Sequence, residues 1–370
     1  MKLQQAKLQT LLRNASMLMA LACASTAIAA PVNHLCATPD GAHGCFGSIQ
    51  SAIDAATPGA TIDVYPGPYH EVAGGRRVAG LGGATFQFGL FIDKDNLTIR
   101  GVDYKGEQIT EWSKVKASIT TNATNGFGPS AIFVQGDGVT LSALAIGAND
   151  GGLNKTIEVI GDGFALENSD VSDVQGSVYI NDFRYDATHD VSHVRAYRIE
   201  GNNFQDGVSV DLASGAGVSG PVHGRLIRKN NFTNSNYWPS VSFNGSGTGI
   251  PWFTYSVGGA VIEHNSFVNT FATTDHDDLL REGHIRARGA YDESQFDWNQ
   301  YLNANNYDKA FATGPKPPED VREFTYQVVD PLLCVAPLDT CTFANRRIGA
   351  LREGEEAIAL PGDKIVAKPK

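Results

Sequence analysis

Charge is the first thing this chain lacks. Only 19% of its 370 residues are Asp, Glu, Lys or Arg, while glycine reaches 40 and proline 16. That combination excludes a coiled coil or helical bundle, which needs charged flanks and uninterrupted helix formers. Positive charge is scarcer than negative, with 29 basic against 40 acidic side chains and a formal net charge of -11. Such a balance excludes broad wrapping of nucleic acid and leaves only local basic patches for a polyanion. Long apolar runs are missing too: no stretch reaches the ~20 residues that span a bilayer, so the chain is not expected to cross a membrane. Hydrophobic residues still make up 42%, too many for disorder throughout. The composition reads as globular, strand-rich and acidic.

The first thirty residues hold Lys2, Lys7 and Arg13 but no acid, then an apolar run from Met17 to Ala24, then Ala27-Ile-Ala29. A basic start, a short apolar core and a small-x-small exit describe a secretory signal peptide at residues 1–29. The expected location is secreted or periplasmic. Losing that segment makes the remaining chain more acidic still. A polyanionic substrate would then need a local cluster of Lys and Arg or a bridging cation, and the only cofactor expectation is calcium in that role. Cys36, Cys45, Cys334 and Cys341 remain in the mature chain. They allow three disulfide pairings, of which two short local loops are the simplest, in keeping with an oxidising compartment.

Self-comparison shows a repeat in one register. Leu97-Thr-Ile-Arg100, Val139-Thr-Leu-Ser142, Phe164-Ala-Leu-Glu167, Tyr197-Arg-Ile-Glu200, Arg225-Leu-Ile-Arg228 and Ala260-Val-Ile-Glu263 read as short strands. Five positions after the third residue of each comes an apolar residue: Tyr104, Ile146, Val171, Phe204, Phe232 or Phe267. Three positions after it, the last three copies place Asn202, Asn230 and Asn265. A second strand follows in several copies, at Ile132-Phe-Val-Gln135, Val178-Tyr-Ile-Asn181, Val208-Ser-Val-Asp211 and Val241-Ser-Phe-Asn244. Period-two alternation with one apolar face is a half-buried strand, and its recurrence predicts stacked coils of a β-solenoid. Asparagines at the same height would hydrogen-bond along the stack and satisfy polar groups that the bend buries.

Ser48-Ile-Gln-Ser-Ala-Ile-Asp-Ala-Ala56, then Pro58-Gly59, then Val64-Tyr-Pro-Gly67 and Tyr69-His-Glu71, resembles the opening of right-handed parallel β-helix proteins of the pectate-lyase-like superfamily. Arg347-Ile-Gly-Ala-Leu351 resembles the closing segment of many extracellular members. The resemblance implies an all-β, single-stranded right-handed parallel β-helix over residues 30–351 with an N-terminal capping helix. An irregular insertion at about 275–326 and a loosely ordered tail at 352–370 complete the division. The resemblance does not fix an activity, because this scaffold carries lyases, hydrolases, esterases and binders. The signatures of polygalacturonases, of many pectate lyases and of pectin esterases are missing from the sequence.

Three constellations are candidates for chemistry. The position after each reference residue forms an outward column, Arg100, Ser142, Glu167, Glu200, Arg228 and Glu263, with Lys229 and His264 at its shoulder. Its cations could act as base or carboxylate partner in a lyase, or the column could be an exposed salt-bridge ladder. The leading candidate is the dense run Asn181–Asp190, holding Asp182, Arg184, Tyr185 and His189, with Asp211 expected one coil above Asn181 and Asn244 above that. Aromatic residues make the third: Trp238, Trp252 and Tyr255 could stack on sugar rings or cap an apolar edge. The expected function is binding of an acidic polysaccharide by a monomer, with cleavage by β-elimination. Hydrolysis by paired carboxylates, with Asp182 and Asp211 the pair to measure, and non-catalytic glycan binding are the alternatives.

Overall fold

The computed structural model describes residues 33–72, 74–78, 85–121, 131–147, 156–172, 178–181, 196–205, 208–212, 224–233, 241–245 and 261–268. Beyond these it describes the strands at 285–289, 323–326, 342–344, 348–349, 355–360 and 364–369. Three long sheets run the length of the molecule. The first stacks His34–Ala37, Thr61–Val64, Thr98–Gly101, Thr140–Ser142, Phe164–Glu167, Tyr197–Glu200, Arg225–Arg228 and Val261–Glu263, all parallel. The second begins at Gly67–Glu71 and continues through Ala117–Thr121, Ala145–Ile146, Asp170–Val171, Asn203–Phe204, Asn231–Thr233 and Ser266–Val268. The third runs from Leu90–Ile92 through Ile132–Val134, Ile157–Val159, Val178–Asn181, Val208–Leu212 and Val241–Gly245 to Ile285–Gly289. Each coil visits the sheets in that order, and the crossover takes the right-handed sense that twisted strands favour.

The register is the one the repeat predicts. Ile62, Ile99, Leu141, Leu166, Ile199, Ile227 and Ile262 lie on one another in an unbroken column, and each is essentially inaccessible to solvent. The second sheet adds Ile119, Ile146, Val171, Phe204 and Phe232 to the same core. Tyr104 does not belong there: it is 82% exposed. After Thr98–Gly101 the chain makes an excursion with a 3-10 turn at Trp112–Lys114, so Ile119 takes the buried place through its pairing with Ile146. Arg225 is a charged residue at an inward position of the first sheet. It stacks in register on Tyr197, its guanidinium carbon 5.9 Å from the ring centroid, and both are 1% exposed.

The bend between the first and second sheets takes two residues. Ala143, Asn168, Gly201, Lys229 and His264 all occupy its left-handed position, with φ between 50° and 72°. The next residue builds the asparagine ladder. The side-chain amides of Asn202, Asn230 and Asn265 donate to the carbonyls of Leu166, Ile199 and Ile227 in the preceding coil, at 2.9–3.1 Å. Their oxygens accept the backbone N–H of Ser169, Asn202 and Asn230 at 2.9–3.0 Å. All three are buried. A bend that would strand backbone groups in the core is thereby satisfied along the stack. The bend leading back to the first sheet uses aspartates: the backbone N–H groups of Asp137, Asp162 and Ala196 donate to Asp95, Asp137 and Asp162.

Both ends of the solenoid are closed. At the start, the helix Ile49–Ala55 buries Ile49, Ala52 and Ile53 against the first coil. Ser48 caps it through its side-chain oxygen, and the buried Glu71 carboxylate accepts the N–H groups of Ile49 and Gln50. Gln50 also completes the edge of the third sheet, its side-chain amide exchanging two hydrogen bonds with the backbone of Phe91 at 2.7 and 3.3 Å. The disulfide Cys36–Cys45 ties the first strand to the turn beside it; Cys334 and Cys341 lie outside the described residues. At the far end the chain reverses. Glu323–Tyr326, Thr342–Ala344 and Ile348–Gly349 pair antiparallel with the last strands of the third, second and first sheets in turn. This counter-wound coil covers three sheet edges that would otherwise invite pairing with another chain. The tail, expected to be loosely ordered, forms an antiparallel hairpin of Glu355–Leu360 with Lys364–Pro369.

Candidate functional site

The outer face of the third sheet changes character along the stack. In register along the stack, one column reads Phe91, Phe133, Glu158, Tyr179, Ser209, Ser242 and Arg286. The column beside it, where strands extend far enough, reads Asn181, Asp211, Asn244 and Arg288. The first coils are filled with aromatic rings. Phe88 packs on Phe91 and Phe133 with centroids 5.6 and 4.7 Å apart, in a cluster with Val78 and Ile160. From Glu158 onward the columns carry acids, hydroxyls, amides and finally two arginines, while the inward positions stay apolar.

The connections from this sheet back to the first lengthen in the same coils. In the first coils they are residues 93–97, 135–139 and 160–163; later they are 182–196, 213–224 and 246–260. Long connections are where a rigid scaffold carries binding and catalytic groups. Asp182, Arg184, Tyr185 and His189 lie outside the described residues, as do Trp238, Trp252 and Tyr255. Their attachment points are nevertheless fixed by the strands. The first four follow Asn181 directly, Trp238 precedes the strand Val241–Gly245, and Trp252 and Tyr255 follow it. Asp211 stands in register between Asn181 and Asn244.

The first-sheet candidate looks different. Arg228 donates to Glu200 at 2.9 Å and lies 4.0 Å from Glu263; Lys229 reaches Glu200 at 3.4 Å, and His264 is 3.9 Å from Glu263. Arg198 pairs with Glu167 in the same ladder, and Arg100 with Asp63, which also meets His34. Burial pushes the Glu200 carboxyl up, but the hydrogen bond and charge of Arg228, with Lys229, outweigh it and hold its pKa below the ordinary glutamate value. Lys229 and His264 are exposed turn residues at left-handed positions. This geometry is that of a ladder of ion pairs relieving like-charge contacts between coils.

Three residues of the third-sheet face escaped the sequence reading. Glu158 is 1% exposed at an outward position between Phe133 and Tyr179. The signal for it was an acid in the middle of an apolar triplet, Ile157-Glu-Val159. Arg286 and Arg288 lie in the segment set apart as irregular, where the strand Ile285–Gly289 continues the sheet in register. With Ile285 and Ala287 as its only apolar side chains, that strand gives a thin hydrophobic signal.

Among the described residues no group of three His, Cys, Asp or Glu is arranged to hold a metal ion. Nor among them is any helix long and apolar enough to cross a membrane. No family model and no curated protein matches the chain. Among solved structures it is similar to a pectin methylesterase from Aspergillus niger, at 15% identity over 74% of this chain and 95% of that one, with a TM-score of 0.36. It is also similar to the pectin methylesterase PemA from Erwinia chrysanthemi, at 14% identity over 59% and 71%, with a TM-score of 0.31. Likeness at this level says nothing about the reaction. The fold rests on the coil-by-coil register, and the chain is a right-handed parallel β-helix, the architecture shared by the pectate-lyase-like superfamily.

Proposed function

We propose that this is an exported protein that binds an acidic polysaccharide along the outer face of the third sheet and cleaves it by β-elimination. The observation that carries the reading is the pair of polar columns on that face, Tyr179, Ser209, Ser242, Arg286 and Asn181, Asp211, Asn244, Arg288. They begin where the aromatic cluster ends, and the same coils carry the long connections. Successive coils are ~4.8 Å apart, close to the spacing of sugars along an extended chain, so one coil can serve about one ring. The overall acidity of the chain argues for anion binding only where cations cluster, and Arg286 and Arg288 supply such a cluster at the end of the face.

In β-elimination a base removes the proton next to the uronate carboxylate, a cation neutralises that carboxylate, and the glycosidic oxygen leaves from the neighbouring carbon with a proton. His189 is the base in this reading and Arg184 the carboxylate partner, both on the connection that leaves Asn181. Asp211 holds the base in position, and Tyr185, Trp238, Trp252 and Tyr255 stack on the sugar rings. Arg228, Lys229 and His264 are left to the ion-pair ladder of the first sheet.

Incubating the protein with a panel of acidic polysaccharides, with absorbance of unsaturated uronate and reducing ends followed in parallel, tests the reading. New absorbance is expected, and His189→Ala removes it while Lys229→Ala does not. Reducing ends without absorbance would transfer the chemistry to Asp182 and Asp211 as a hydrolytic pair. Binding with neither signal would leave a glycan-binding solenoid.

A further inference from the structure

Where other coils cross from the first sheet to the second in two residues, the coil of Thr98–Gly101 spends residues 102–116 before it reaches Ala117–Thr121. Both ends of this excursion are seated on the preceding coil. Val102 donates its N–H to the Val64 carbonyl at 3.0 Å, and the Lys116 carbonyl accepts the N–H of Gly67 at 3.1 Å. Between them Asp103–Gly106 forms a tight turn. The Gly106 N–H donates to the Asp103 carbonyl at 3.0 Å, and the Asp103 carboxylate accepts the N–H groups of Lys105 and Glu107 at 2.8 and 2.9 Å. Gly106 takes φ 82° and lies against half-buried Tyr65, whose hydroxyl would be 3.1 Å from a Cβ at that position. Buried Ile109 and the 3-10 turn Trp112–Lys114 hold the rest.

This fixed backbone presents its aromatic rings to solvent. Tyr104, inside the turn, is 82% exposed and Trp112 36%, whereas Tyr69, Phe133, Phe164 and Tyr197 are each 2% exposed or less. The charges of the excursion cancel, with Asp103, Glu107 and Glu111 against Lys105, Lys114 and Lys116, and Lys114 is paired with Glu111 at 2.7 Å. Exposed rings on an ordered backbone stack on the apolar faces of sugars with little left to order on binding. Local neutrality gives a carboxylated sugar no advantage there.

We propose that the excursion is a separate binding site for a neutral polysaccharide with flat sugar faces, a cellulose-type glucan, held by stacking on Tyr104 and Trp112. It leaves the one bend of the coil that the third sheet does not adjoin. The site therefore goes beyond the proposed cleavage of an acidic chain and does not depend on it: it anchors the protein to a neutral matrix.

The test is affinity electrophoresis of the full mature protein in native gels containing hydroxyethylcellulose, with polygalacturonate gels alongside. Hydroxyethylcellulose should retard the wild type, and binding to the same polymer by sedimentation should persist at high salt, as stacking on an uncharged sugar requires. Tyr104→Ala and Trp112→Ala should each weaken binding roughly three- to tenfold, with Tm unchanged because both side chains are exposed, and with mobility in polygalacturonate unaltered. Failure of hydroxyethylcellulose to retard the wild type, or retardation that both variants keep in full, overturns the site. Retardation by polygalacturonate that the two variants lose would give the excursion to an acidic chain and overturns its neutral specificity.

Discussion

The side-chain oxygen of Asn230 accepts the backbone N–H of Asn202 at 3.0 Å and the Asn202 side-chain amide at 3.1 Å, while its own amide donates to the Ile199 carbonyl at 2.9 Å. One buried side chain thus satisfies two backbone groups of the preceding coil. Asn230→Ala leaves the buried Asn202 N–H without its acceptor, and takes one hydrogen bond from the Ile199 carbonyl, at ~1–3 kcal/mol each. The expected loss is about 3 to 5 kcal/mol, read from urea unfolding. A loss under about 1 kcal/mol would mean that the ladder is ornamental to stability.

Lys229 and His264 sit at the left-handed position that Gly201 occupies in the preceding coil. Non-glycine residues there are strained by roughly 1–2 kcal/mol, against which glycine adds a smaller cost in unfolded-chain entropy. Lys229→Gly and His264→Gly should therefore each stabilise the protein by about 0.5–1 kcal/mol, despite losing surface charges worth little. Both should keep full activity on whichever glycan is cleaved. Loss of turnover in either variant would return the chemistry to the first sheet.

Glu200 and Glu71 should respond to pH with opposite sign. Glu200 is held below its ordinary pKa because Arg228 and Lys229 outweigh burial. Its contribution is present above the ordinary glutamate range and is lost as pH falls through the lowered value. Comparing wild type with Glu200→Gln, the stability difference should be constant near neutrality and vanish in acid. Burial raises the pKa of Glu71 despite the Ile49 and Gln50 N–H groups. Its contribution is greatest below the ordinary range and declines as pH rises through the raised value. Parallel pH profiles for the two Gln variants would contradict this assignment.

The Cys36–Cys45 bridge closes a loop with a sequence separation of 9, for which chain entropy gives a stabilisation of ~3 kcal/mol. Cys36→Ser with Cys45→Ser, or reduction, should lower Tm by several degrees, and peptide mapping under non-reducing conditions should recover the two cysteines in one linked fragment. A different partner for either one would show that the first strand is not held at Asp63 as the register requires.

Much of the architecture was legible because it is written in local alternation. Ile199, Ile227 and Ile262 announce themselves as inward residues, and the asparagines three positions on announce the bend. Tyr104 misled because a repeat cannot reveal how far the chain wanders before its next strand. Arg225 gave no sign of its place in the core, which depends on stacking over Tyr197.

The sequence by itself determined that the chain coils, which residues face inward and where the bends fall, because period two and fixed offsets are properties of the backbone. Only the tertiary structure decided which outward residues stand together. It placed Asp211 between Asn181 and Asn244, turned Arg228 and Lys229 toward Glu200, and walled one end of the third sheet with Phe88. Neighbours across coils are separated by loops of unequal length, so their meeting depends on how each loop returns the chain to the stack.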